Sequence, residues 1–311
     1  MTSAGSGTTE RKPAEAPLRR PVDGIDVAWR SREELLRLAD LTLAEFMRHL
    51  TRYGGTILEE EGLLLFSGAH PHPNPYRNGA IRLDERLHPA EVLERAAHFF
   101  RVRNRPYVLW CRAHADSALV EAALHAGLQK VEEDGLPELF LEELPEELPM
   151  PEGLVLKPAT DEQTRRDYVE IVAQGWGMGG MDLDLASAVF FHPDSVAVPH
   201  VSAFVGYAGD VPVSGAMCFV THGVALGCQA ATVRRLRGSH LLLSPRDGEQ
   251  RRGLADSCLW AALRHSFEEL GARGSVCQTS VSGAGTWKRL GYRPLTSYVR
   301  LLAQHSAPVW G

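Results

Sequence analysis

The chain of 311 residues is short of cysteine, and the five it has form no pair of recognisable spacing. Cys111, Cys218, Cys228, Cys258 and Cys277 are scattered through apolar runs, with no CxxC. That excludes a disulfide framework and a structural zinc site. The five read as buried thiols of a reducing cytoplasm. No run of about 18 apolar residues occurs, so no membrane span is expected, and the first residues lack the apolar core of a secretion signal. Positive charge is not in excess: 33 Lys and Arg stand against 39 Asp and Glu, net −6. This argues against nucleic acid as a partner. Neither a Gly-Lys-Ser/Thr phosphate loop nor a three-glycine dinucleotide fingerprint is present. His70 and His72 sit two residues apart in a proline-rich loop, which is too little for a metal site, so none is expected.

What is present is an ordinary globular composition, 44% apolar and 23% charged, over a length that suggests about two domains. Residues 1–27 are polar and carry Pro, Gly and Ser, and read as a disordered tail. Residues 28–143 form a first domain. It opens with a helix over Ser31–Tyr53, with Ser31 as N-cap and Glu33 and Glu34 in the first turn. A hairpin follows around Glu59–Gly62, and then alternating helices and strands. Residues 144–153, with three prolines and three acids, read as a linker. Residues 154–304 form a second domain, and 305–311 a tail. The second domain runs strand (Leu154–Pro158), helix, a glycine-rich stretch, a short helix, and a three-strand meander: Val201–Tyr207, Val211–Val220 and Val224–Val233.

One stretch of the second domain stands out. In Gln250-Arg251-Arg252-Gly253-Leu254-Ala255, Gly253 and Ala255 carry almost no side chain. The pattern after it, Asp256 to Leu270, is that of an amphipathic helix. Bare backbone amides at the positive end of a helix dipole suit a phosphate; a solvated basic turn is the plainer alternative. The first domain ends in the same element order as the second, which points to an internal duplication. At the place of the turn, however, it has Asp84-Glu-Arg-Leu-His-Pro89, without glycine and with two carboxylates. One ligand site per chain is therefore expected, in the second half.

The second half resembles the GCN5-related N-acetyltransferases. The resemblance spans about Leu154–Leu302 and rests on the meander, the Gln250-x-x-Gly253-x-Ala255 turn with its helix, the strand at Val276, and Trp287-Lys-Arg-Leu-Gly-Tyr292. It implies an α+β fold of two tandem domains, each a mostly antiparallel mixed sheet flanked by helices, the first having lost its cofactor turn. It implies acetyl-CoA as co-substrate, its diphosphate on the amides of Gln250, Arg251, Arg252, Gly253, Leu254 and Ala255. Ala231, Thr232 and Val233 would lie beside the pantetheine arm, with an N–H near Val233 as oxyanion donor. The implied activity is N-acetyl transfer to a small-molecule amine by direct attack, by a cytoplasmic monomer or homodimer. Asp182, Asp184 and His192 are candidates for the general base. The family's acid tyrosine is replaced by Trp287, whose indole N–H is far too weak an acid. Water, Thr286 or Ser282 would have to substitute, or the chemistry is slow, or the chain is a non-catalytic acyl-CoA sensor. Gln229 reads either as a residue of the substrate cleft or as a hydrogen-bonded structural glutamine. Arg234–Glu249, longer than the family's usual connection, reads as a solvated insertion or as an arginine-bearing loop that reaches CoA phosphates.

Overall fold

The computed structural model describes residues 31–70, 74–144, 146, 148, 150–175, 183–189, 191–233, 248–280 and 283–303, and two short strands at 21–22 and 25–26. In chain order the first half contains β1 (Pro21–Val22), β2 (Ile25–Asp26), α1 (Arg32–Thr51), β3 (Thr56–Glu60), β4 (Leu63–Ser67) and β5 (Asn78–Arg82). It continues with α2 (Pro89–Arg101), β6 (Tyr107–Arg112), α3 (Ser117–His125), β7 (Gln129–Lys130) and β8 (Leu136–Leu141). The second half contains β9 (Leu154–Pro158), α4 (Glu162–Gly175), α5 (Leu183–Val189), a 3-10 turn (Pro193–Val196), β10 (Val201–Ala208), β11 (Val211–Thr221) and β12 (Val224–Thr232). It ends with α6 (Gly248–Glu268), β13 (Ser275–Gln278), α7 (Ala284–Arg289) and β14 (Arg293–Ala303).

Local chemistry sets several of these boundaries. The Ser31 hydroxyl accepts the Glu34 N–H at 3.1 Å and opens α1 as an N-cap. His88 does the same for α2, its Nδ1 accepting the Ala90 N–H at 3.3 Å ahead of Pro89. The β3–β4 and β11–β12 hairpins turn on Glu61-Gly62 and His222-Gly223, all four with positive φ, as two-residue turns of a twisted hairpin require.

Apart from the β1–β2 pair, the strands join one mixed sheet of twelve, in the order β3-β4-β5-β6-β14-β8-β13-β12-β11-β10-β9, with β7 also on β14. The pairings are antiparallel except β5 with β6 and β12 with β13. The middle of this order is crossed over. β14, the last strand of the second half, pairs with β6 of the first, and β8 of the first half pairs with β13 of the second. Each half thus lends its last strand to the other. The registers repeat about the centre: Arg112 lies opposite Tyr298 as Gln278 lies opposite Glu138. Likewise Ala113 N–H donates to Ser297 C=O and Thr279 N–H to Pro137 C=O, both at 3.0 Å. The sequence break at 144–153 therefore has no counterpart in the sheet.

Helices cover both faces. On one face α1 spans the two halves. Its Leu43, Ala44 and Met47 pack with β4, β6 and Tyr298, while Leu35, Leu38, Phe46 and Leu50 join α4 and α5 over β10–β13. On the other face α2 and α3 cover the first half and α6 and α7 the second. All five cysteines are buried and unpaired. Among the described residues no helix is long and apolar enough to cross a membrane, and no cluster of three metal-ligating side chains occurs.

Candidate active site

The site begins where two parallel strands stop pairing. β12 and β13 are in register only at Ala225 with Ser275 and Leu226 with Val276. β12 then runs on to Thr232 and β13 to Gln278 without further pairing between them. On the other side β12 stays paired with β11, but with a shift: Met217 faces Cys228 while Gly215 faces Ala231, so Gln229 and Ala230 oppose one residue. This is a β-bulge, which leaves its extra residue out of the ladder and kinks the strand. Gln229 takes φ +53°, a conformation uncommon outside glycine. Its side chain is buried, and its Oε1 has no hydrogen-bond partner among the described residues.

The wall of the parting on the α4 side is built by close approach. A Cβ at Gly175 would lie 2.6 Å from that of Ala231, and one at Gly215 would lie 3.1 Å from the Tyr168 ring. Tyr168 is fully buried, and its hydroxyl has no partner among the described residues. The opposite wall is Trp287, also buried, whose ring fills the space a side chain at Gly227 would take, with Cζ3 at 2.9 Å. Trp287 meets Tyr292 edge-on at 5.1 Å. The Tyr292 hydroxyl lies 2.6 Å from Ser275 Oγ, and burial raises its pKa well above the ordinary value. The Trp287 indole N–H is far too weak an acid near neutral pH, and burial makes the Tyr292 hydroxyl a weaker acid than an ordinary tyrosine.

Two expectations change here. The Val233 N–H donates to Val213 C=O at 3.0 Å, so it is not available as an oxyanion donor. The place where β12 leaves its ladder is four residues earlier, at Gln229–Ala230. Second, the helix expected from Asp256 starts at Gly248, so Gln250 to Ala255 lie within its first turns. Glu249, Gln250, Arg251 and Arg252 are good helix formers and carry it forward. In such a helix only the first N–H groups, about Gly248 to Gln250, lack intrahelical acceptors. Those of Arg252, Gly253, Leu254 and Ala255 are spent on carbonyls four residues back. The bareness of Gly253 is used by the linker: a Cβ there would lie 3.1 Å from Pro151 Cγ. The Leu254 carbonyl accepts from Ser214 Oγ at 3.2 Å and ties α6 to β11.

The candidate bases are dispersed. Asp182 lies outside the described residues, as do Ser282 and 234–247. Asp184 is exposed on α5. His192 caps the 3-10 turn, its Nδ1 accepting the Asp194 N–H at 3.2 Å, and stacks on Tyr53 at 5.5 Å. Thr286 is half-buried on α7, where its hydroxyl accepts from Arg289 at 3.3 Å. Arg289 in turn holds Asp256 of α6 at 2.5 Å.

A residue not singled out in the sequence lies closer to the parting. Glu138 of β8 is fully buried opposite Gln278, whose Nε2 donates to Glu138 Oε1 at 2.7 Å. Glu138 Oε2 is buried with no partner among the described residues. Burial, with Asp40 adding to it, pushes the carboxyl pKa up to about 8. A lone carboxylate inside the apolar run Leu136–Leu141 was the available signal.

In the first half the corresponding parting is closed by charge. Asp116 is fully buried at the N-cap of α3 and pairs with Arg82 of β5 and with Arg112 of β6, the latter at 2.9 Å. These ion pairs sit where that half's ligand cleft would open.

No protein-family model and no curated protein matches the chain. Solved structures do. The chain is similar to a GCN5-related N-acetyltransferase from Kribbella flavida at 19% identity and TM-score 0.60, over 85% of this chain and 95% of that one. It is similar to another from Sphaerobacter thermophilus at 13% identity and TM-score 0.52, over 80% and 75%. A tandem GNAT protein from the clavulanic acid biosynthesis pathway matches at 12% identity and TM-score 0.50, over 88% and 97%. The chain has the fold of the GCN5-related N-acetyltransferases in its tandem form.

Proposed function

We propose that the chain transfers an acetyl group from acetyl-CoA to the amine of a small molecule. The observation that carries this reading is the parting of β12 from β13 beside the bulge at Gln229–Ala230. A parted parallel pair admits an extended thiol arm between two strands. A bulge turns backbone out of the ladder at the level where a thioester carbonyl would lie, and such a fixed dipole stabilises the oxyanion of a tetrahedral intermediate. The start of α6, with the N–H groups of Gly248 to Gln250, supplies the diphosphate site. Ala231 and Thr232 line the arm on β12. With the first-half parting closed by Asp116, Arg82 and Arg112, one acyl-CoA binds per chain.

The amine attacks the thioester carbon directly, and positioning of the two reactants supplies much of the rate. Trp287 on Gly227 favours a second reading, an acyl-CoA sensor without turnover, because an indole takes the position of the fold's usual acid and the Tyr292 hydroxyl beside it is buried against Ser275. Calorimetry with acetyl-CoA, run beside thiol release with a panel of amines, separates the two. Binding with amine-dependent release supports the transferase. Binding without release supports the sensor, and absence of binding removes both.

A further inference from the structure

The sheet crossover brings a carboxyl of the first half to the parting of the second. We infer that Glu138, carried on the exchanged strand β8, is the group that takes the proton from the attacking amine. The inference rests on the acetyl-transfer reading above.

Three observations place it. Val276 belongs to the core face shared by α1 and α4, so Gln278, two residues on along the strand, points to that face as well. Glu138, opposite Gln278 and two residues from Phe140 of the same core, faces it too. The register of β12 with β13, continued past Leu226 and Val276, sets Gln278 level with Cys228, the residue before Gln229. A half-buried amide at the end of β13, where that strand has parted from β12, is therefore bonded to Glu138 and stands at the level of the bulge across the parting. The second oxygen of Glu138 is unspent. A carboxyl kept for structure alone would have both oxygens satisfied, because an unpaired buried oxygen is costly.

The groups around it point the same way. From α1 comes Asp40, which accepts from Tyr298 of β14 at 2.8 Å. Beyond Asp40 stand His114 at 3.1 Å and Arg112 at 3.6 Å, both engaged with Asp40. Cys277 of β13 is a further titratable neighbour. Among the described residues no cation pairs with Glu138, so an incoming ammonium is the partner its charge fits. Burial sets its proton affinity near the working range of a general base. In the step, the Glu138 carboxylate takes one proton of the ammonium and the freed nitrogen pair forms the C–N bond. The C–S bond then breaks with its pair going to sulfur. A second nitrogen proton passes to the thiolate, leaving amide, free thiol and the protonated carboxyl.

The test uses the full chain, acetyl-CoA, and spermidine, tyramine, glucosamine and lysine as probe amines. Glu138→Gln keeps the acceptor for Gln278 and removes the base. It is expected to bind acetyl-CoA within twofold of the parent by calorimetry and to lose at least a hundredfold in thiol release. The parent's kcat/KM should rise with pH on a limb that this variant lacks. Glu138→Asp should keep the limb at reduced rate, and it carries the test if the glutamine variant does not fold. Turnover of Glu138→Gln within threefold of the parent on an unchanged limb overturns the inference, as does a Glu138→Asp profile without the limb. A parent that binds no acetyl-CoA, or releases no thiol with any probe, withdraws the transfer reading and this inference with it. That failure is seen in the parent and not in the variants.

Discussion

Phe46→Ala tests whether the two halves stand as one folding unit. Phe46 belongs to α1 of the first half, yet its fully buried ring lies 5.6 Å from Phe219 and 6.5 Å from Phe191, both of the second. Truncating a buried phenylalanine to alanine costs roughly 3–5 kcal/mol. Against a total of about 5–15 kcal/mol for a typical fold, that is a large share. In two independent domains the loss would fall on one of them. In a sheet that exchanges its central strands it falls on both. Urea unfolding followed by tryptophan fluorescence reports both, since Trp110 is in β6 and Trp260 and Trp287 are in α6 and α7. The expected result is a single transition whose midpoint moves down with little change in slope. A biphasic curve, or a second-half signal that keeps the parent's midpoint, would refute the reasoning.

Three further outcomes are expected. Glu138 has its folded pKa raised from about 4.5 to about 8. The folded state therefore holds this proton more tightly than the unfolded one, and the contribution is full below pH 4.5 and lost as pH rises through 8, on the order of 5 kcal/mol. Glu138→Gln should flatten that fall in urea unfolding measured from pH 5 to 9; an unchanged slope would count against the burial. His49, whose Nε2 lies 2.7 Å from Ser195 C=O, has its pKa lowered to about 4, mainly by burial. Its contribution is present above pH 6.5 and lost as pH falls through 4, and proton NMR of the ring should show no titration between pH 7 and 5. Gly253→Asp adds a negative charge in the second turn of α6, presses on Pro151 of the linker, and should weaken acetyl-CoA binding about tenfold by calorimetry, roughly 1.4 kcal/mol. Equal affinity would move the diphosphate away from α6.

Much of the element order was legible because it follows from local rules. Ser31, the Glu61-Gly62 turn and the meander each carry their own signal in the chain. The strand exchange was not legible, since a strand's alternation says which face is buried and not which strand lies beside it. For the same reason the apolar stripe of α1 did not reveal that half of it serves the second half's core. The start of α6 was misplaced because Gly253 reads as a break, whereas the helix formers around it carry the helix through at a cost of about 1 kcal/mol. Positive φ at Gln229 has no sequence mark, so the bulge was invisible and Val233 was named in its place. Glu138 did have a mark, a carboxylate within Leu136–Leu141, but its meaning depends on Gln278, 140 residues away.

The most direct test of the account is a crystal structure of the chain grown with acetyl-CoA. The account predicts the thiol arm between β12 and β13, the thioester carbonyl at Gln229–Ala230 and the diphosphate at Gly248–Gln250. Acetyl-CoA bound elsewhere, or a parting that stays closed by Trp287 at saturating ligand, would contradict it.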